Sequence, residues 1–167
     1  EVAEQDIDWI GRAWTYYFAD DPGAASVAAR KARSDHGDDP NAYVISAWIE
    51  LAEDNYNAAK DYAAEAYVLD ELGEDTVDVY HVRGVTFYFT NKYEKGIECY
   101  QRALAKAPRE MVPDIAFRMA ACYIKMEQYT RAIDICIEGL KADAEMSPDT
   151  CDAINHYCCV ALEEHCF

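Results

Sequence analysis

The sequence is poor in helix-breaking residues and in positive charge. It contains 7 glycines and 5 prolines among 167 residues, and this scarcity favours long helices over many short strands. Its 15 basic residues stand against 32 acidic ones, which gives a formal net charge of −17. Such a surface repels phosphate backbones and anionic lipid headgroups. We therefore expect a protein partner that offers a basic or amphipathic peptide or helix, with no nucleic acid and no direct membrane contact.

Long hydrophobic runs and secretion signals are also missing. No run of about 18 apolar residues could span a membrane, and no signal peptide is visible. The first residue is Glu1 rather than methionine, so we expect a chain that is processed or cut from a longer polypeptide. The seven cysteines are odd in number and lie in the last 70 residues, and no Asn-x-Ser/Thr site occurs. These features favour an intracellular protein, in the cytoplasm or the nucleus.

Sequence signatures of catalysis are absent as well. There is no glycine-rich phosphate loop, no nucleophile elbow and no His-Glu-x-x-His motif, so we predict no enzyme activity and no cofactor. The C-terminus is crowded with residue types that bind zinc: His156, Cys158, Cys159, His165 and Cys166. On a helix two or three of them could meet one ion, but their spacing matches no known zinc pattern. Compact apolar cysteines in a helical core are the alternative, so no metal is predicted.

What the sequence does contain is a repeat. The segment Tyr80-x2-Arg83-Gly84-x2-Phe87 is followed by Tyr93 and a second run of small and aromatic positions. Three other segments fall into the same register, and their first anchor residues are 34, 37 and 36 residues apart: Trp9, Tyr43, Tyr80 and Ala116. In all four segments the small residue of the first helix lies nine residues before the start of the second. Four amphipathic helix pairs are therefore predicted.

This pattern resembles the tetratricopeptide-repeat superfamily over nearly the whole chain, most strongly in the third segment. The first two segments depart from the family pattern, with Glu50 at a large apolar position and Arg12 and Ser46 at leucine positions. The resemblance implies an all-α, right-handed α-solenoid of about four helical hairpins plus a C-terminal capping helix. It implies a single domain over 1–167, with repeats at about 6–39, 40–73, 77–110 and 113–146 and a terminal helix at about 148–165.

Local signals set the expected helix boundaries. An acidic or hydroxyl residue precedes a proline at Asp21-Pro22, Asp39-Pro40 and Ser147-Pro148, which is typical of an N-cap followed by the first helical position. The predicted helices lie near 6–19, 22–35, 40–53, 56–70, 77–90, 93–107, 113–126, 129–142 and 148–165.

The resemblance also implies where a ligand would bind, because the first helices of successive hairpins line the concave face of such a solenoid. The inward positions form an apolar, aromatic groove with acids at its rim. The residues of this predicted groove are Ile10, Trp14, Tyr17, Val44, Trp48, Leu51, His81, Val85, Tyr88, Phe117 and Ile124. An exposed apolar patch of that size is typical of a binding groove. The alternative is that neighbouring helices bury these residues.

The predicted function is a protein–protein interaction scaffold or adaptor that holds a peptide or helix of a partner in this groove. The alternative is a structural segment of a larger solenoid or multi-subunit complex, with the groove filled internally. The basic clamp by which related co-chaperones grip acidic tails is missing, because its positions hold residues such as Ile10, Asp78 and Val82. The apolar sides of 148–165 further predict self-association, or assembly with other subunits, through that helix.

Overall fold

The structure is a computed structural model that describes residues 7–70, 73 and 76–142. Within these residues it contains no strand, only eight α-helices and one 3-10 turn, Arg109–Met111. The helices are α1 (Trp9–Phe18), α2 (Pro22–Asp35), α3 (Pro40–Ala52), α4 (Tyr56–Leu69), α5 (Thr76–Phe89), α6 (Tyr93–Leu104), α7 (Val112–Lys125) and α8 (Tyr129–Ala142). The eight predicted helices before residue 143 are thus confirmed, two of them to the residue. The predicted helix 148–165 and the C-terminal Cys/His cluster lie outside the described residues.

Aspartate side chains start the first three helices. The Asp21 carboxylate accepts a hydrogen bond from the backbone N–H of Ala24 at 3.0 Å, and that of Asp39 accepts one from Asn41 at 2.8 Å. In both cases proline occupies the first helical position, where no N–H is needed. The predicted caps at these two sites are confirmed. They satisfy backbone donors that would otherwise have no partner inside the helix.

The four turns inside the hairpins share one backbone conformation. Each contains a single non-glycine residue with positive φ: Asp20 (56°), Asp54 (59°), Asn91 (58°) and Glu127 (58°). These residues are 34, 37 and 36 residues apart, the same intervals that separate the anchor residues of the repeats. The repeat is therefore a repeat of backbone geometry as well as of side-chain type.

The chain divides into two compact units, with the boundary between Asp75 and Thr76. The N-terminal unit holds the hairpins α1–α2 and α3–α4, and the C-terminal unit holds α5–α6 and α7–α8. In each unit the second helix of the first hairpin also packs against the first helix of the next. The fold class is an all-α helical-repeat solenoid, and the single domain expected from the sequence stays a prediction.

Small residues form the core of the N-terminal unit. Ala13 of α1 meets alanines of α2 and the isoleucines Ile45 and Ile49 of α3, and all of these are buried. Trp9, Trp14 and Tyr17 pack against this cluster from the side. The alanines let the helix backbones approach closely, and the larger side chains fill the spaces that remain between the helices.

Ser46 explains one departure from the family pattern. It is buried in α3, where its hydroxyl donates to the carbonyl of Ala42 at 2.6 Å and accepts a hydrogen bond from the Arg33 guanidinium. The Arg33 guanidinium also lies 4.5 Å from the centre of the Tyr62 ring. A polar contact between α2, α3 and α4 thus replaces the usual leucine.

The core of the C-terminal unit forms around Gly84 and Tyr100. A β-carbon built on Gly84 would lie only 2.5 Å from Cε1 of the Tyr100 ring, which is 1% exposed. Helices α5 and α6 therefore approach each other closely at Gly84. Cys99 and Cys122 are buried free thiols beside this contact, and burial raises the pKa of Cys99 to about 11 and that of Cys122 to about 12.

Candidate functional site

The structure places the predicted groove residues of the N-terminal unit on α1 and α3. Ile10, Trp14 and Tyr17 of α1 are partly buried, and so is Trp48 of α3. The remaining two, Val44 and Leu51, are buried among the core side chains. Those two offer almost no surface to a ligand in this conformation.

The groove residues of the C-terminal unit lie on α5 and α7. Tyr88, Phe117 and Ile124 are partly buried. His81 and Val85 are buried. Four of the eleven predicted residues are therefore buried. Whether the others contact a partner stays a prediction.

A half-open cavity of about 100 Å³ lies between α5 and α7. Val85 and Tyr88 line it from α5, while Phe117 and Ala121 line it from α7. Three further residues complete the lining: Phe89, Tyr100 and Arg118. The ring of Tyr88 meets that of Phe89 edge to face at 5.3 Å, so the aromatic wall is held in place by its own contacts. The cavity is apolar except for the arginine and the tyrosine hydroxyls.

A polar network stands beside this cavity. The Asp114 carboxylate accepts hydrogen bonds from Nε of Arg118 at 3.1 and 3.2 Å, and its Oδ2 lies 3.1 Å from Nε2 of His81. Partial burial alone would raise the pKa of Asp114. The contacts with His81 and Arg118 outweigh that effect and hold the pKa of Asp114 below its ordinary value. The network fixes Arg118 at the wall of the cavity.

The N-terminal unit carries an exposed aromatic cluster at the end of α1. Phe18 is 78% exposed, yet its ring stacks on Trp14 with the centroids 5.6 Å apart and the planes 21° apart. The ring of Tyr17 meets both of them edge to face, at 5.8 Å from Trp14 and 5.5 Å from Phe18. These contacts hold a large apolar side chain in a defined position although it faces solvent.

A second cavity, of about 320 Å³, opens beside this cluster where α1 and α3 end. Its lining consists of Tyr17, Phe18, Asp20, Pro22, Ile49, Ala52 and Glu53. It combines two aromatic rings with two carboxylates and no basic side chain. Of these residues only Tyr17 belongs to the predicted groove.

Sequence reasoning missed several residues of the two cavities. Arg118 lies four residues after Asp114, and this helical spacing of opposite charges could have indicated the ion pair. A phenylalanine directly before a turn, as Phe18 and Phe89 both are, could have indicated exposed aromatics. Tyr100 lies on a second helix, which the groove rule leaves out.

In the part of the chain that the structure describes, no group of three or more His, Cys, Asp and Glu side chains is placed to hold a metal ion. Among the helices of residues 7–70 and 76–142, none is long and apolar enough to cross a membrane.

The comparisons with known proteins agree with this architecture. A tetratricopeptide-repeat profile matches residues 77–108, which contain most of α5 and all of α6. No curated protein gave a significant match to the sequence. Solved structures are similar in fold. A chain in the crystal structure of the APC/C hetero-tetramer Cut9-Hcn1 matches with a TM-score of 0.78 at 11% sequence identity, and the match covers 89% of this chain and 29% of the matched chain.

For two further structures the match covers a larger share of the matched protein. Pseudomonas aeruginosa pilF matches with a TM-score of 0.77 at 15% identity, over 94% of this chain and 72% of its own. MamA matches with a TM-score of 0.65 at 16% identity, over 92% of this chain and 94% of its own. At such identities these likenesses concern the fold alone. Together with the one repeat that the profile matches, they show that the chain has an all-α helical-repeat fold.

Proposed function

We propose that this chain is an interaction scaffold or adaptor whose C-terminal unit binds a helical or extended segment of a partner protein. The fold is in general a non-enzymatic protein-interaction fold. The binding surface is the α5–α7 face, which we define by Tyr88, Phe89, Phe117 and Ala121. The observation that carries the proposal is the half-open apolar cavity in this face. One apolar side chain of the partner enters it.

The size of the cavity limits what can enter. An engineered protein cavity of about 150 Å³ holds a benzene molecule, and the cavity between α5 and α7 has about 100 Å³. A valine, leucine or methionine side chain therefore suits it better than a tryptophan. Phe89, which is 41% exposed, stands at the rim and adds apolar area to the contact.

Charge supports a basic or amphipathic partner. The net charge of −17 gives the chain a negative field that speeds the approach of positive segments. Asp114 keeps part of its carboxylate exposed beside the cavity, although Arg118 and His81 balance its charge. The field therefore favours basic residues around the apolar side chain, rather than inside the cavity.

The proposal can be tested with peptides selected from a random amphipathic library against the full chain. The variant Ala121→Leu should fill the cavity and weaken the selected peptides by at least about tenfold, since an apolar anchor in an interface is worth about 2 kcal/mol. Phe89→Ser should weaken them less. Ile137→Ser is the matched control, because Ile137 is 40% exposed in the same unit but lies on α8. Equal affinities for parent, Ala121→Leu and Ile137→Ser would contradict the proposal.

A structural role remains the second candidate, and the four buried groove residues favour it. The Cut9-Hcn1 structure is described as a hetero-tetramer, and this chain matches 29% of the chain concerned. On this alternative the chain is one segment of a larger solenoid or assembly, joined to it through residues 148–165. Light scattering of the isolated chain decides, because a monomer that binds selected peptides fits the first function. A constitutive oligomer without peptide affinity fits the second.

An intracellular setting, cytoplasmic or nuclear, is part of the proposal. Cys99 and Cys122 are free thiols in the core, and the total of seven cysteines cannot pair completely within one chain. Unpaired cysteines in such numbers are typical of reducing compartments. Mass spectrometry of protein alkylated at the moment of lysis should find all seven unpaired, and any native disulfide would contradict this setting.

A further inference from the structure

We propose that the cavity at the ends of α1 and α3 is a pocket for one arginine side chain of a partner protein. This arginine pocket is defined by Tyr17, Phe18, Asp20 and Glu53. It lies in the N-terminal unit and rests on different residues from those of the α5–α7 face. Either site can therefore be lost while the other remains.

Three helix ends meet at the pocket. Helix α1 ends at Phe18 and helix α3 ends at Ala52, and both residues line the cavity. The C-terminal end of a helix carries a partial negative charge, which is reduced here because N–H groups of the turns donate to the carbonyls of Tyr17 and Leu51. Neither helix has a basic residue in its last turn to neutralise that charge. The N-terminus of α2 at Pro22, which carries a partial positive charge, lines the same cavity, so the side chains decide the sign of the local field.

The side chains add negative charge and aromatic surface. Asp20 lies in the turn after α1, and Glu53 caps the C-terminus of α3. The lining includes these two acidic residues and no lysine, arginine or histidine, so no basic side chain in the wall balances their charge. Phe18 is held against Trp14 and Tyr17, which keeps an exposed ring at the cavity rather than folded onto the surface.

Arginine fits this combination better than other side chains. Its planar guanidinium stacks on aromatic rings and donates paired hydrogen bonds to carboxylates, whereas a lysine ammonium is a compact, strongly hydrated charge. An apolar side chain would strip water from Asp20 and Glu53 without replacing the lost hydrogen bonds. The volume of about 320 Å³ lies at the lower end of ligand pockets, which run from about 300 to 1,000 Å³, and is enough for one long side chain.

The test is a titration of the full chain with the tripeptide acetyl-Gly-Arg-Gly-amide, followed by amide NMR shifts. The citrulline tripeptide is the matched ligand, because citrulline has nearly the same shape but no charge. We expect saturable shifts at Tyr17, Phe18 and Glu53 with arginine, and affinity at least about tenfold lower with citrulline or lysine. Equal affinities for the arginine and citrulline peptides, or shifts elsewhere only, would overturn the proposal.

Two double variants test whether arginine binding depends on the pocket or only on the net negative charge of the chain. Asp20→Asn/Glu53→Gln should abolish the arginine-dependent shifts while keeping the shape of the lining. Asp61→Asn/Glu65→Gln removes the same charge from exposed positions on α4 and should leave them unchanged. Phe18→Leu keeps an apolar side chain but removes the ring, and should weaken binding with the helix content unaltered. If the α4 pair weakens binding as much as the pocket pair, binding follows net charge and the pocket does not exist.

Discussion

Replacing Gly84 by alanine should destabilise the C-terminal unit, because the added methyl group collides with Tyr100. The new β-carbon would lie 2.5 Å from Cε1 and 2.8 Å from Cδ1 and Cζ of that ring. Two carbon atoms prefer a separation of about 3.5–4.0 Å, so the ring or the helix must move by about 1 Å. The ring is 1% exposed and packed in the core, with open space only on the side of the α5–α7 cavity that it lines.

The expected size of the effect follows from two opposing terms. Overpacking of a core costs about 1–3 kcal/mol, and the closeness of this contact places Gly84→Ala in the upper part of that range. Alanine regains about 1 kcal/mol over glycine through its helix propensity. We therefore expect a net loss of about 1–2 kcal/mol in the free energy of unfolding. Urea unfolding followed by far-ultraviolet circular dichroism measures it.

Three further variants show whether the collision is the cause. Gly23→Ala adds the same methyl group on α2, where its nearest contact is 3.7 Å away, and should be neutral or stabilising. Gly96→Ala, with nearest contacts of 3.3 and 3.4 Å, should lose less than Gly84→Ala. In a Tyr100→Leu background the cost of Gly84→Ala should fall, because the ring is gone. If Gly84→Ala is as stable as Gly23→Ala, the reasoning from this contact is refuted.

Three other predictions concern charge, thiols and capping. Asp114→Asn should lower stability at neutral pH, and the difference from the parent should shrink as the pH falls. The pKa of Asp114 is lowered in the folded state, so its carboxylate stabilises the fold above the unfolded pKa of about 3.9, and this stabilisation is lost as the pH falls through the folded pKa. If the urea midpoints of parent and variant differ by the same amount at about pH 7 and about pH 3, this prediction is contradicted. Cys99 and Cys122, with raised pKa values and buried sulfur atoms, should resist alkylation until urea unfolds the chain, as peptide mass spectrometry can follow. Asp21→Ala should cost about 1 kcal/mol and Asp21→Ser much less, because serine can still accept the Ala24 hydrogen bond; equal urea midpoints for the two variants would argue against the cap.

The helices could be predicted from the sequence because their signals act over one turn. Asp21 and Asp39 each stand before a proline, and the apolar spacing that follows fits only one helical register. The contact at Gly84 was equally accessible, since a glycine at a repeated small position indicates where two helices approach closely. Each of these inferences depends on residues near one another in the chain.

The exposure of the groove could not be predicted in the same way. Repeat position tells which face of α3 or α5 points inward, but not how closely the neighbouring first helix covers it. Val44, Leu51 and Val85 are buried, and the burial of such residues depends on the sizes of many packed side chains at once. The arginine pocket could not be predicted for a related reason, since it forms only where the ends of α1 and α3 come together.

The positive-φ residues in the four hairpin turns indicate where a substitution could still raise the free energy of unfolding. A side chain in that conformation costs about 1–2 kcal/mol relative to glycine, although aspartate and asparagine tolerate it best. Glycine would remove that cost but would give the unfolded chain more freedom, worth about 0.4–1 kcal/mol. For Asp20, Asp54 and Asn91 the two effects nearly cancel, so these turns are close to their optimum. Glu127 lacks a short side chain that can satisfy the local backbone, and the turn between α7 and α8 is therefore where evolution or design still has room for improvement.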